Sequence, residues 1–166
     1  MSTENNVEAV QFDCDSDPSR RWTLRKMTGG NIYQISNVQT GKCLTIAGGE
    51  STANNVTALQ FDCDRHPSRT WRISDVTGSG VYQIRNVQTN KCLTIAGGVS
   101  TANNVTALQF DCDTDLSRRW TIRLKLQERR PVSRTTWFLL TMTESLGVSA
   151  RVGSFQKQTS RPKAGH

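Results

Sequence analysis

The chain has 166 residues, is 35% hydrophobic and 21% charged, and carries a formal net charge of +7. That length admits one ordinary domain with a buried core. The charge is unevenly placed: residues 1–123 hold 13 Lys/Arg against 12 Asp/Glu, whereas residues 124–166 hold 8 against 2. The basic balance therefore belongs to the C-terminal stretch, and the body has no charge suited to a specific nucleic acid partner. No apolar run approaches the roughly 20 residues of a membrane-spanning helix, the longest being Trp137–Leu140, so no membrane span is expected. The first residues, Met-Ser-Thr-Glu-Asn-Asn, have neither the basic nor the apolar region of a signal peptide.

From the N-terminus, the first element is a partial copy of a repeat, residues 1–30. Its string Gln11-Phe-Asp-Cys-Asp15 returns at Gln60–Asp64 and Gln109–Asp113, a step of 49 residues each time, and Trp22, Trp71 and Trp120 keep the same step. Full copies follow over 31–79 and 80–123, with 33 identities in 44 positions between 31–74 and 80–123. Because Met1 aligns with Val99, the chain is expected to begin in the middle of a copy, with further protein upstream.

Within a copy, apolar and polar residues alternate over short runs rich in β-formers, as in Val81–Val87, Lys91–Ala96, Ala107–Cys112 and Arg119–Arg123. Turn signals at Thr89-Asn90, Gly97-Gly98 and Asp113–Ser117 separate them. Each full copy thus supplies four strands and the partial copy two. The tail, 124–166, lacks the repeat spacing and reads as disordered or loosely packed, with Thr136–Met142 its one β-capable run. With strands missing from the first copy, an unpaired strand edge is expected, and with it homo-oligomer formation.

Cys43 and Cys63 are 20 residues apart, as are Cys92 and Cys112, each pair on the second and third strands of its copy. A bridge across each hairpin would stabilise it by roughly 3 kcal/mol and would persist outside the cytosol. Buried free thiols in a cytosolic protein are the alternative reading. The position 20 residues before Cys14 falls before Met1.

The ordered set Lys42-Cys43-Leu44, Phe61-Asp62-Cys63 and Trp71, repeated as Lys91-Cys92-Leu93, Phe110-Asp111-Cys112 and Trp120, resembles the ricin B-type β-trefoil lectin module, also grouped with the family 13 carbohydrate-binding modules. The resemblance covers residues 2–123 and implies an all-β, pseudo-threefold β-trefoil with the tryptophans in a shared core. It also implies a secreted carbohydrate-binding module without catalysis. At the family's sugar-binding positions this sequence has Thr45 and Thr94 in place of an aspartate, and Ser68-Arg69 and Ser117-Arg118 in place of an Asn-Gln pair; the aromatics Phe61 and Phe110 are retained.

With the neighbouring Asp64 and Asp113, these form the candidate carbohydrate sites. A sugar stacks its apolar face on an aromatic ring and hydrogen-bonds its hydroxyls to polar groups. Two readings of the arginines stay open. They present five-donor forks to carboxylated or sulfated sugars, or each packs its stem over the core tryptophan and pairs with Asp62 or Asp64 in a site that has decayed. A structural module with decayed sites, or the accessory part of a secreted glycoside hydrolase, is the rival function.

Other chemistry finds little support. The two histidines, His66 and His166, have no triad or zinc-ligand spacing, and His66 reads as an exposed loop residue. Asp62-Cys63-Asp64 does not supply the six or more oxygens of a calcium site. No catalytic residue, metal or cofactor is expected.

Overall fold

The computed structural model describes residues 2–125 and 150–157. Twelve strands run in chain order as β1 Val7–Glu8, β2 Val10–Gln11, β3 Arg21–Lys26, β4 Ile32–Asn37, β5 Cys43–Ile46, β6 Val56–Phe61, β7 Trp71–Asp75, β8 Val81–Asn86, β9 Cys92–Ile95, β10 Val105–Phe110, β11 Trp120–Lys125 and β12 Ala150–Lys157. The described helical structure is limited to three single 3-10 turns, Pro18–Arg20, Pro67–Arg69 and Leu116–Arg118, one per copy. Among the described residues no helix is long and apolar enough to cross a membrane.

Six strands close a ring: β4 pairs with β3 and β7, β8 with β7 and β11, and β12 with β11 and β3. The hairpins β5–β6 and β9–β10 form a cap in which β6 pairs with β10, while β1 pairs with β6 and β2 with β10. The architecture is the all-β trefoil that the family resemblance implied. Its barrel edge, expected to be open, is instead closed by β12, a strand from the non-repeat tail. The residues of β12 hide their strand character in the sequence, because Ala150 and Val152 keep a period of two and Phe155 breaks it. The pairing shifts register by one residue between Ile122 and Arg123, and that shift accounts for the break. The tail's expected β-run, Thr136–Met142, lies outside the described residues.

The core lies on the threefold axis. Trp71 is fully buried among Ile35, Leu44, Ile73, Ile84 and Leu93, with Trp120 in the same cluster and Trp22 packed against it. Each of the two buried indoles finds a fixed acceptor: Trp71 Nε1 donates to the Leu44 carbonyl at 2.9 Å and Trp120 Nε1 to the Leu93 carbonyl at 3.0 Å. Strand β5 departs from the alternation read in the sequence. All four of its residues are buried, Thr45 included, because β6 flanks it on one edge and the Pro67–Arg69 turn covers its polar side. Both expected hairpin bridges are formed, Cys43–Cys63 and Cys92–Cys112, with Cα separations of 5.0 and 5.1 Å. The free-thiol reading is thereby set aside for these four residues.

Two repeated strings hold the copies to one another. Gln60 sends its amide to the carbonyls of Ser2 and Glu4 at 3.0 and 2.8 Å, Gln109 to Ser51 and Ala53 at 2.7 and 2.8 Å, and Gln11 to Ser100 and Ala102 at 3.0 and 2.6 Å. Each copy's glutamine therefore clamps the Ser-Thr-Xaa-Asn loop of a different copy, and the three clamps close a cycle. The asparagine that follows each loop sits in the left-handed region, with φ 66°, 64° and 63° at Asn6, Asn55 and Asn104, a conformation asparagine tolerates better than most residues. Gln109→Ala removes a fully buried amide and strands two carbonyls, so a loss of about 1–3 kcal/mol is expected. Urea denaturation checks this: the midpoint falls with the slope unchanged.

Candidate functional site

On the outer face of the first full copy, β5, β6 and the Pro67–Arg69 turn enclose a basin of about 320 Å³. Thr45, Phe61, Ser68 and Arg69 all line it, together with Asn6, Gly49, Glu50 and His66. The turn is set by its cap: His66 accepts from the Ser68 amide at 3.3 Å, the place taken by Asp17 in the partial copy and Asp115 in the second full copy. This cap also fixes the histidine, whose Nδ1 lies 2.8 Å from Ser68 Oγ. The imidazole is exposed, as the sequence implied, yet it borders the basin.

The polar groups at the candidate positions are engaged with one another. The Thr45 hydroxyl donates to the Ser68 carbonyl at 3.1 Å, and Thr94 does the same to the Ser117 carbonyl at 2.9 Å. Ser68 and Ser117 are buried beneath them. Arg69 pairs with Asp64 at 3.1 Å, and Arg118 with Asp113 at 3.5 Å and Asp115 at 3.4 Å. Each guanidinium stacks on the phenylalanine of its own copy, with Cζ 4.4 Å from the ring centroid both for Arg69 on Phe61 and for Arg118 on Phe110. Arg20 repeats the contact on Phe12 at 4.0 Å and pairs with Asp15. The eight-residue spacing from Phe to Arg recurs in all three copies.

Of the two aspartates read as partners for Arg69, Asp62 binds elsewhere. It accepts from Lys42 Nζ and from Asn5 Nδ2 at 2.8 Å, and Asp111 likewise takes Lys91 and, at 2.7 Å, Asn54. These bonds hold both carboxyls below the ordinary 3.8 of an aspartate, the lysine hydrogen bond being the larger cause in each. Asp17 is also lowered, by the Ser19 hydrogen bonds, and Asp75 by backbone amides of Thr77 and Gly80. Each folded value lies below the unfolded one, so the stabilisation is present above about pH 4 and is lost as pH falls through the folded values. Thermal melts should hold steady at neutral pH and decline under acid. A double change, Asp62→Asn with Asp111→Asn, should flatten part of that decline.

Missed by sequence reasoning were Asn6, Glu50, His66 and the Gly48-Gly49 turn. Asn6 comes from the partial copy, and no spacing within one copy could have placed it in the basin of another. Glu50 stands where the sister copy has Val99, so the two full copies differ at this rim. Among the described residues no group of three or more His, Cys, Asp or Glu is placed to hold a metal ion.

A closed six-stranded barrel under a cap of two hairpins and the paired strands β1 and β2, with a shallow basin on its outer face, defines a β-trefoil of the lectin type. The chain belongs to the ricin-type β-trefoil lectin domain-like family, which matches residues 1–62, 18–111 and 67–140. Among solved structures it is similar to the designed threefold-symmetric protein ThreeFoil, with a TM-score of 0.67 and 21% identity over 72% of this chain and 83% of that one. An exo-β-1,3-galactanase from Clostridium thermocellum gives 0.66 and 23% over 72% of this chain and 25% of its own. A Polyporus squamosus lectin gives 0.52 and 18% over 60% and 34%. At these identities the likeness is one of fold. No curated protein matches the chain.

Proposed function

We propose that this chain is a glycan-binding module whose working site is the basin of the first full copy. The observation that carries this reading is convergence: Thr45, Phe61, Ser68 and Arg69, at the family's sugar-binding positions, border one basin with Asn6, Glu50 and His66. The ring offers an apolar surface, and the amide, carboxyl and imidazole groups offer donors and acceptors for hydroxyls.

Charge argues for an uncharged sugar. Arg69 is already matched by Asp64, and Glu50 adds a further acidic group at the rim, so the charged side chains at the basin disfavour a sulfate or carboxylate. The second copy, with Val99 at the rim in place of Glu50, is the weaker site. A glycan array probed with the full chain tests this: retention on neutral oligosaccharides, lost in Phe61→Ala and kept in Phe110→Ala, is expected. Preference for sulfated or sialylated glycans overturns the neutral-sugar assignment.

One observation favours a rival. The threonine hydroxyls and arginine forks satisfy themselves inside the protein, as in a structural module whose sugar sites have decayed. No retention on any glycan or insoluble polysaccharide decides for it. We further propose an extracellular or otherwise oxidising location, since each hairpin of the cap carries a disulfide.

A further inference from the structure

One wall of the basin is held differently from its counterparts. In the partial copy and the second full copy an aspartate takes the amide of the turn's serine, Asp17 from Ser19 at 2.8 Å and Asp115 from Ser117 at 2.7 Å. His66 stands in that place in the first full copy and takes the Ser68 amide at 3.3 Å. A backbone amide can only donate, so Nδ1 must present its lone pair and the ring proton must sit on Nε2. The neutral imidazole is therefore the form that caps the turn. Ser68 is buried, and its Oγ lies 2.8 Å from Nδ1 and 3.2 Å from Thr45 Oγ1. A line of polar contacts thus runs from β5 through Ser68 to the imidazole at the basin.

Charged groups of both signs surround the ring. Glu50, on the loop after β5, borders the same basin, and beside it a β-carbon added at Gly49 would come within 3.8 Å of His66 Cε1. Asp64, on the segment leading from β6, accepts from the His66 amide at 2.8 Å and pairs with Arg69. Arg65 precedes the histidine and Arg69 ends its turn. With two carboxylates facing two arginines the charge is balanced, and the hydrogen bond decides which form the turn needs. A carboxylate goes on accepting down to about pH 4, whereas histidine ordinarily takes up a proton between about pH 5 and 8.

Protonation converts Nδ1 from acceptor to donor and leaves the amide of Ser68, a residue 1% exposed, without its cap. It also places a cation near Arg69. At the same repeat position Asp115 reaches Arg118 at 3.4 Å, so the sister copy holds an anion where a charged His66 is positive. Both effects fall on one short turn, and that turn carries the arginine that covers Phe61.

We propose that His66 makes the Pro67–Arg69 wall of this basin acid-sensitive: the neutral imidazole holds the turn, and protonation opens it locally, draws Arg69 off Phe61 and lowers glycan retention. The last step rests on the glycan-binding reading, and the opening of the turn does not. The second full copy, capped by Asp115, keeps its turn over the same range.

Amide hydrogen exchange in the full chain, resolved by residue with heteronuclear NMR, tests the turn without any sugar. Between about pH 7.5 and 5.5, the Ser68 amide should lose protection about fivefold relative to Ser117, the scale of one lost cap. In His66→Asp, which restores the residue of the other copies, and in His66→Asn, which caps without titrating, Ser68 should follow Ser117 throughout. An array of neutral oligosaccharides probed at the same two pH values supplies the second readout. Retention of the wild type should fall about fivefold in acid, and the ratio between the two pH values should stay level in both variants. Ser68 protection that tracks Ser117 in the wild type overturns the proposal. A loss that persists in both variants does so too, as does wild-type retention that is equal at the two pH values. Acid release of Ser68 with no retention at either pH supports the acid-sensitive turn and counts against the glycan-binding reading instead.

Discussion

Trp71→Ala is expected to destabilise the protein by about 3–5 kcal/mol, the range for truncating a fully buried aromatic. Three contributions act together. The indole has no exposure, it packs against the isoleucines of β4, β7 and β8, and its Nε1 donates to the Leu44 carbonyl on β5. Truncation leaves a cavity on the threefold axis and strands that carbonyl. Trp120→Ala should behave alike, since it keeps the same bond to Leu93. Trp22→Ala should cost less, because Trp22 is only partly buried and already borders a groove of about 270 Å³. Urea midpoints of the three variants, at constant slope, should fall in that order. Equal losses would mean that the partial copy is as tightly packed as the full ones.

How the sequence discloses such a structure depends on where a signal lives. A 49-residue period forces equivalent residues into equivalent places, so the repeat and the hairpin cysteine pairs were legible from spacing, while the threefold core with its tryptophans came from the family resemblance that those motifs carry. Contacts between copies were not legible. Gln109 and the Ser51–Ala53 loop are each conspicuous in the repeat, yet nothing local says that one clamps the other across 58 and 56 residues. The same holds for Asn6 in the basin. Alternation misled at β5, where burial on both faces turned Thr45 inward toward Ser68. It failed also at β12, where a register shift broke the period of two that would have marked the strand. At the candidate site the residue types were visible and their mutual satisfaction was not. An arginine eight residues after a phenylalanine does not announce that it covers that ring and pairs with Asp64 rather than Asp62.

Removing the Cys92–Cys112 bridge is expected to cost about 3 kcal/mol, as closing a loop of this size constrains the unfolded chain by that amount. Substitution alone overstates the figure. Cys92 is fully buried in β9, so Cys92→Ala also deletes packed atoms, whereas reducing the intact protein breaks the cross-link and keeps both sulfurs in place. The two measurements therefore separate the terms. Reduction of the wild-type chain should lower the urea midpoint through both bridges, and reduction of a Cys92→Ala, Cys112→Ser variant should lower it only through Cys43–Cys63, whose loop has the same length. The difference between those two shifts is the contribution of one cross-link. A wild-type midpoint indifferent to reductant would show that the hairpins hold without their bridges, and the inference from these bridges to an oxidising compartment would fall with it.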